Sequence, residues 1–299
     1  MGPEIEGAIM SFVTDDEAAH FHEHGYVKLE DVVPEATCEA VIDLIWDRLG
    51  ADPDDPDTWY TTPRGMDDHW PSRPGGMVEL SQHQALWDTR QDPTCYQAFA
   101  ELWGEEALWT SMDRCNMTPP RHPDHPELDN SFLHWDADLS DGRSLDTTGT
   151  DLPYGVQGVL FLDEVDEEQG TFQCVPSVYR ELESWVEQHE QDDMTEEAYA
   201  DEIVRVPGSA GDLVIWDTRL AHGNGSNTGE EPRFAQYISM YPARFDDHDA
   251  RRRRIESWRE REPFGEDPSD WEREHYGPAT LTGLGQRLLG LDPWPGWLK

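Results

Sequence analysis

At 299 residues the chain can bury a substantial core, as one large domain or two small ones. Its 64 acidic residues against 22 basic ones give a net charge of -42. Such a surface repels nucleic acid and anionic membranes, which are bound mainly through Lys and Arg. No apolar run approaches the roughly 18 residues of a membrane span. The opening MGPEIEGAIMSFVTDDE lacks the basic-then-apolar order of a secretion signal. Cys38, Cys95, Cys115 and Cys174 form no CxxC pair and read as reduced thiols, so a cytoplasmic protein is expected.

In chain order, Asp15–His24 reads as a weak helix, followed by a short strand at Tyr26–Leu29. Glu35–Leu49 places Val41, Ile42, Ile45 and Leu49 on one face. Pro34 before it and Gly50 after it are start and stop signals for an amphipathic helix. Ala51–Pro74, rich in Pro and Asp, reads as loop, and Pro93–Trp103 as a helix ended by Gly104. From about residue 107 the pattern changes to short strands: Leu108–Met117, Ser131–Asp136, Gly155–Asp163, Thr171–Val175, Ile203–Val206, Asp212–Asp217 and Arg233–Tyr241. Many short strands at regular spacing predict an all-β sandwich or barrel rather than a parallel sheet. Glu181–His189 reads as a helical insertion and Asp246–Glu262 as a polar helix. The expected architecture is one domain: a helical N-terminal layer over about 12–104, a β-roll over about 107–242, and a helical tail over 243–299.

The negative charge is spread along the chain among thirteen tryptophans, and Lys28 and Lys299 are the only lysines. This resembles proteins from organisms that hold molar salt in the cytoplasm. At about 1 M salt the Debye length is about 3 Å, which screens self-repulsion. Thermal stability is therefore expected to rise steeply from dilute buffer to molar KCl. A melting temperature independent of salt would remove the halophile reading without touching the chemistry.

In SFLHWDADLS, His134 and Asp136 are two residues apart. On a strand, residues i and i+2 share a face, so imidazole and carboxylate can grip one ion. A second histidine, His222, follows a predicted strand and turn in GDLVIWDTRLAHGNGSNTG. Two histidines and one carboxylate make the facial triad of non-haem Fe(II) oxygenases, which leaves coordination positions open. Arg233 begins an apolar-rich strand eleven residues later, and its planar fork can take a carboxylate in two parallel bonds. The chain contains its own control, since His122 and Asp124 form another HxD in PPRHPDHPE. Embedded in prolines, that copy is expected in a loop. Taken singly, His222 also reads as a turn histidine and Arg233 as a salt-bridged surface residue. The case rests on pair, distal histidine and arginine occurring in that order.

With these residues in view, the sequence resembles the phytanoyl-CoA dioxygenase family from about residue 12 to 242. FVTDDEAAHFHEHGYVKLEDVVPEATCEAVIDLI is similar to the family's opening helix, strand and second helix, and LHWDAD to its HxD motif. GVLFLDEVDEEQGTFQCVPSVYR resembles the stretch ending in Pro-Gly-Ser-His-Arg, with Val178 and Tyr179 in place of a small residue and the histidine. GDLVIWDTRLAHGNGSNTG and PRFAQYISMYPAR resemble the distal-histidine and arginine strands. The resemblance implies a mainly β fold with flanking helices, the double-stranded β-helix (jelly roll, cupin-like), using Fe(II), 2-oxoglutarate and O2. It carries iron ligation onto His134, Asp136 and His222, and 2-oxoglutarate binding onto Arg233. It also carries cosubstrate contact onto Asn224, two residues after the distal histidine. Asn116, on the strand before HxD, is expected to line the pocket.

The implied reaction hydroxylates a small-molecule substrate and releases succinate and CO2. The family does not fix the substrate, and a polyanionic CoA ester suits so acidic a chain poorly. Two alternatives stay open at this point. One is a related oxidative enzyme, a halogenase or desaturase, although Asp136 occupies the place a halide would need. The other is a non-catalytic metal-binding β-roll, which would have no use for Arg233. Ala137–Pro153 is long enough to be a lid, and equally reads as an inert surface loop.

Overall fold

Local chemistry defines the first helix tightly. Thr14 accepts from the Glu17 amide at 3.2 Å while the Glu17 carboxylate accepts from the Thr14 amide at 2.7 Å. Gly25 ends the turn at φ 79°, a left-handed conformation that a side chain would strain. The computed structural model describes residues 11–66, 74–129, 131–262 and 270–297. It begins with α1 (Asp15–His24), β1 (Tyr26–Leu29) and α2 (Glu35–Leu49). Then come β2 (Met77–Val78), α3 (Gln84–Arg90), α4 (Pro93–Trp103), β3 (Leu108–Thr110) and β4 (Cys115–Thr118). The second half runs β5 (Val156–Phe161), β6 (Phe172–Cys174), α5 (Pro176–Arg180), α6 (Leu182–Val186), β7 (Val204–Val206) and β8 (Leu213–Asp217). It continues through β9 (His222–Asn224), β10 (Arg233–Tyr237), β11 (Met240–Pro242), α7 (His248–Glu260), α8 (Trp271–His275) and α9 (Gly283–Leu289). Within the expected loop Ala51–Pro74, Pro56–Thr58 makes one 3-10 turn, and residues 67–73 lie outside the described residues.

The strands pair antiparallel in the order β1-β8-β5-β10-β4-β2, facing a smaller sheet β7-β6-β9, with β3 and β11 forming a separate ribbon. This is the mainly β, helix-flanked jelly roll that the resemblance implies. The two faces of the large sheet have different partners. Val156, Leu160, Leu213, Ile215 and Phe234 belong to the cluster that contains the helical residues Val41, Ile45 and Phe99. Their strand neighbours Val159, Phe161, Val214, Trp216 and Ala235 pack instead with Phe172 and Val206 of the small sheet. That alternation follows from the period-2 geometry of a strand and makes the second group the interior of the roll.

Several strands differ from expectation. Leu108–Met117 and Arg233–Tyr241 each break in two, and they break side by side: Ser111 N donates to Ser239 O at 2.7 Å and Ser239 N to Ser111 Oγ at 3.0 Å. The hydroxyl thus replaces a ladder bond, and the chain passes from the large sheet to the ribbon. Ser131–Asp136 is no regular strand either; only Ser131 and His134 bridge to β9. His222 begins a strand of its own rather than sitting in a turn. The insertion expected at Glu181–His189 is helical only over Leu182–Val186, and a further short helix precedes it.

The C-terminal segment is packed in rather than trailing. Arg254 of α7 donates to Leu288 O and Leu289 O at 3.0 Å each and to Thr110 O at 2.5 Å, tying helix, helix and ribbon together. Leu288 and Trp294 belong to the same buried cluster as the N-terminal helices. All four cysteines are free and buried, and burial pushes their thiols up. No helix among the described residues is long and apolar enough to cross a membrane.

Candidate active site

His134, Asp136 and His222 meet at the mouth of the roll. His134 Nε2 lies 3.3 Å from Asp136 Oδ1, and His222 Nε2 lies 3.5 Å from Asp136 Oδ2. One ligand atom from each of the three falls within 4.8 Å of the others. Among the described residues no other His, Cys, Asp and Glu form such a group. Metal bonds of about 2.0–2.2 Å to a shared centre need donors roughly 3–4 Å apart, so this donor set fits an iron ion.

Gly223 makes the convergence possible. A Cβ there would sit 1.8 Å from Phe132 O, so any larger residue would push the His134 segment off β9. With it absent, His134 and His222 exchange backbone hydrogen bonds of 2.9 and 3.0 Å. The ligand pair therefore aligns through two bridges to β9 rather than through a strand of its own.

Electrostatics prepare the three groups. Burial opposes ionisation of Asp136, but hydrogen bonds and charge from His134 and His222 outweigh it and hold the carboxyl well below its ordinary range. Burial pushes the His222 imidazole down, against the opposing hydrogen bond of Asp136. His222 Nδ1 lies 2.9 Å from Leu220 O, which can only accept, so Nδ1 carries the hydrogen. With Nδ1 held this way, Nε2 faces Asp136 and the centre, and a metal ion replacing the hydrogen shared with Asp136 would take its lone pair.

Around the triad opens a cavity of about 300 Å³, walled by Phe172, Trp216, Tyr237, Gln157, Asn224 and Arg114 among others. Asn224 lines it and donates to the Tyr237 hydroxyl at 3.4 Å. Arg233 is fully buried just beyond this wall, on the same face of β10 as Tyr237. Its Nη1 reaches Asn116 Oδ1 at 3.5 Å, while Nε and Nη2 have no hydrogen-bond partner among the described residues. Burial lowers the proton affinity of Arg233, and Tyr237 acts against that. A buried guanidinium with one open edge fits a carboxylate bound in two parallel bonds. Asn116 does not line the cavity. Its amide donates to Gly75 O at 2.7 Å and its oxygen accepts from Thr118 Oγ1 at 2.8 Å, which places it behind Arg233.

The competing pair is elsewhere. His122 Nδ1 accepts from the Asp124 amide at 3.2 Å inside a turn, away from the cavity. The sequence reading also missed a buried support beneath the triad. Trp135, between the two ligands, donates from Nε1 to Arg219 O at 3.0 Å. The Arg219 guanidinium pairs with Asp217 at 2.7 Å and donates to Asp146 O at 2.7 Å and Asp151 O at 2.8 Å. Burial works against the Arg219 charge and Asp217 more than offsets it. Tyr179, at the histidine position of the family motif, donates its hydroxyl to Asp217 at 3.0 Å. The available signal was Asp-x-Arg in WDTRLAH, an ion pair placed just ahead of His222.

A jelly roll with a two-histidine, one-carboxylate cluster at its mouth has the architecture of non-haem iron oxygenases. The phytanoyl-CoA dioxygenase family model matches residues 21–235, and the chain belongs to that family, whose members are Fe/2-oxoglutarate oxygenase-type enzymes. It is 26% identical over 255 residues to Ava biosynthesis cluster protein O of Aspergillus versicolor, covering 75% of this chain and 77% of that protein. Dioxygenase af480 of Aspergillus fumigatus is 25% identical over 240 residues, covering 78% and 68% respectively. Among solved structures, the epimerase SnoN in complex with Fe3+, alpha ketoglutarate and nogalamycin RO superposes with a TM-score of 0.52 at 17% identity. That match covers 76% of this chain and 83% of SnoN, and it shows the shared fold.

Proposed function

We propose that this protein is an Fe(II)- and 2-oxoglutarate-dependent dioxygenase that hydroxylates a small molecule with release of succinate and CO2. The observation that carries the reading is the pairing of two features around one cavity. A three-donor cluster stands at the mouth, and a buried arginine behind the wall has one guanidinium edge unanswered. A plain metal-binding roll would leave that arginine buried at a loss. SnoN, of the same fold, was crystallised with iron and alpha ketoglutarate, the two groups proposed here.

In this reading His134, Asp136 and His222 hold the iron, and Arg233 takes the far carboxylate of 2-oxoglutarate, with Asn224 beside it. Bound together, iron and 2-oxoglutarate supply an oxidant made from O2 that can attack a C–H bond. The chain's own part is geometric. Leu220 O fixes the His222 tautomer, and Arg219 and Asp217 hold Trp135 between the ligands. Asp136 fills the carboxylate position, which leaves a halide no place. The core shared by the N-terminal helices, the roll and the C-terminal helices supports reading the chain as one oxygenase unit. The acid-rich, lysine-poor surface supports a salt-rich cytoplasm as its setting.

Anaerobic addition of Fe(II) and 2-oxoglutarate to the purified protein tests the reading. A weak visible charge-transfer band is expected, and succinate should form once O2 and a substrate are admitted. A protein that binds iron but shows no band on adding 2-oxoglutarate would be a metal-binding roll instead.

A further inference from the structure

Two polar atoms on the cavity wall take no part in holding iron or 2-oxoglutarate. Gln157 of β5 and Trp216 of β8 are direct register partners, so their side chains stand together on the interior face. Both line the cavity. Trp216 is only 4% exposed, yet among the described residues its Nε1 has no hydrogen-bond partner, and neither has the buried Oε1 of Gln157. The similarly buried Trp87 and Trp294 donate to Gln82 Oε1 and Leu108 O, and Trp109, whose Nε1 is also unpartnered among these residues, does not line the cavity. A desolvated donor and acceptor left side by side need an explanation, and a missing ligand provides one. The Trp216 ring lies 4.8 Å from that of His222, so whatever pairs with it is held beside the reacting centre.

The charges on the same wall restrict what that ligand is. Arg114 is engaged by Glu79 at 2.9 Å and by Asp113 at 3.5 Å. Asp136 is committed to iron in the function proposed above, and Asp113 with Glu79 outnumbers the single charge of Arg114, so that corner of the cavity is net acidic. A carboxylate or phosphate on the substrate would meet repulsion there. Phe172, with its ring 4.8 Å from that of Trp216, and Tyr237 offer flat apolar surface for the rest of the molecule.

We propose that Gln157 and Trp216 orient the substrate, and that they select an uncharged group that both accepts and donates a hydrogen bond, a hydroxyl or a carboxamide. Such a group takes the indole N–H and returns a hydrogen to the Gln157 oxygen. A hydrocarbon leaves both unpaired, and a site built around paired polar groups rejects the analogue that lacks them. The position of this group beside iron rests on the oxygenase reading above; the selectivity itself does not.

The test uses the full chain with ¹⁵N-labelled indoles, the Trp216 signal being identified by its loss in Trp216→Phe. Benzyl alcohol, benzamide and toluene serve as probes of similar bulk, titrated without iron or 2-oxoglutarate. The alcohol and the amide are expected to shift the Trp216 Nε1 signal and to bind at least about tenfold more tightly than toluene. Trp216→Phe, which keeps an aromatic ring, and Gln157→Leu should each shrink that preference. Equal affinities for the three probes, or a Trp216 signal that none of them moves, would overturn the proposal. The charge-transfer band on adding Fe(II) and 2-oxoglutarate is recorded on the same preparation. A missing band with the preference intact would remove the oxygenase reading alone, and a normal band without the preference would remove this proposal alone.

Discussion

Arg233→Ala is expected to raise the apparent 2-oxoglutarate constant at least about a hundredfold while leaving Fe(II) affinity unchanged. Arg233 is fully buried, with Nε and Nη2 unanswered by any acceptor among the described residues. Removing one member of a buried ion pair costs about 3–5 kcal/mol, because its partner is left uncompensated. That corresponds to roughly two to four decades in affinity. Arg233→Lys should recover only part of the loss, since a point charge cannot reproduce two parallel bonds. A titration of 2-oxoglutarate with iron saturating reads both variants. An unchanged constant in Arg233→Ala would remove the main reason for assigning this cosubstrate.

The second large effect separates the two HxD pairs. His134→Ala and His222→Ala should each abolish iron binding and turnover, since a two-donor remnant holds the ion far less firmly. The double variant His122→Ala, Asp124→Ala should keep both, because that pair lies in a turn where His122 accepts from the Asp124 amide. Iron content after desalting, measured beside the melting temperature, distinguishes a lost ligand from a lost fold. Loss of metal in the 122/124 variant with an unchanged melting temperature would overturn the assignment of the triad.

The parts of this molecule that were legible in the sequence are those whose causes are local. The bounds of α1, β1, α2 and α4 match expectation because their punctuation lies within a few residues. Thr14 with Glu17 starts α1, Asp92 caps α4, and Gly25, Gly50 and Gly104 end their helices in left-handed turns. The strands were legible in position more than in number or extent, because Ser111 and Ser239 interrupt each other across 128 residues of sequence and the short β2 and β9 carry no pattern of their own. His134, Asp136 and His222 could be named from their spacing and order. That a glycine between His222 and Asn224 admits the His134 segment could not, since it depends on how two distant stretches meet. Arg219 and Trp216 went unnoticed for the same reason: one looks like a surface charge and the other like ordinary core.

The way Arg219 fastens the segment between Asp136 and β5 bears on how much sequence change that segment tolerates. The guanidinium grips that segment through the main-chain oxygens of Asp146 and Asp151. Every residue type presents the same oxygen, so the clasp is indifferent to the side chains carried there. Substitutions at 148–151 can therefore leave the clasp in place, whereas Leu145 packs into the same apolar cluster as Trp135 and is held by its side chain. The molecule thus holds part of this segment by its backbone and part by its side chains, and the two parts tolerate changes of sequence unequally.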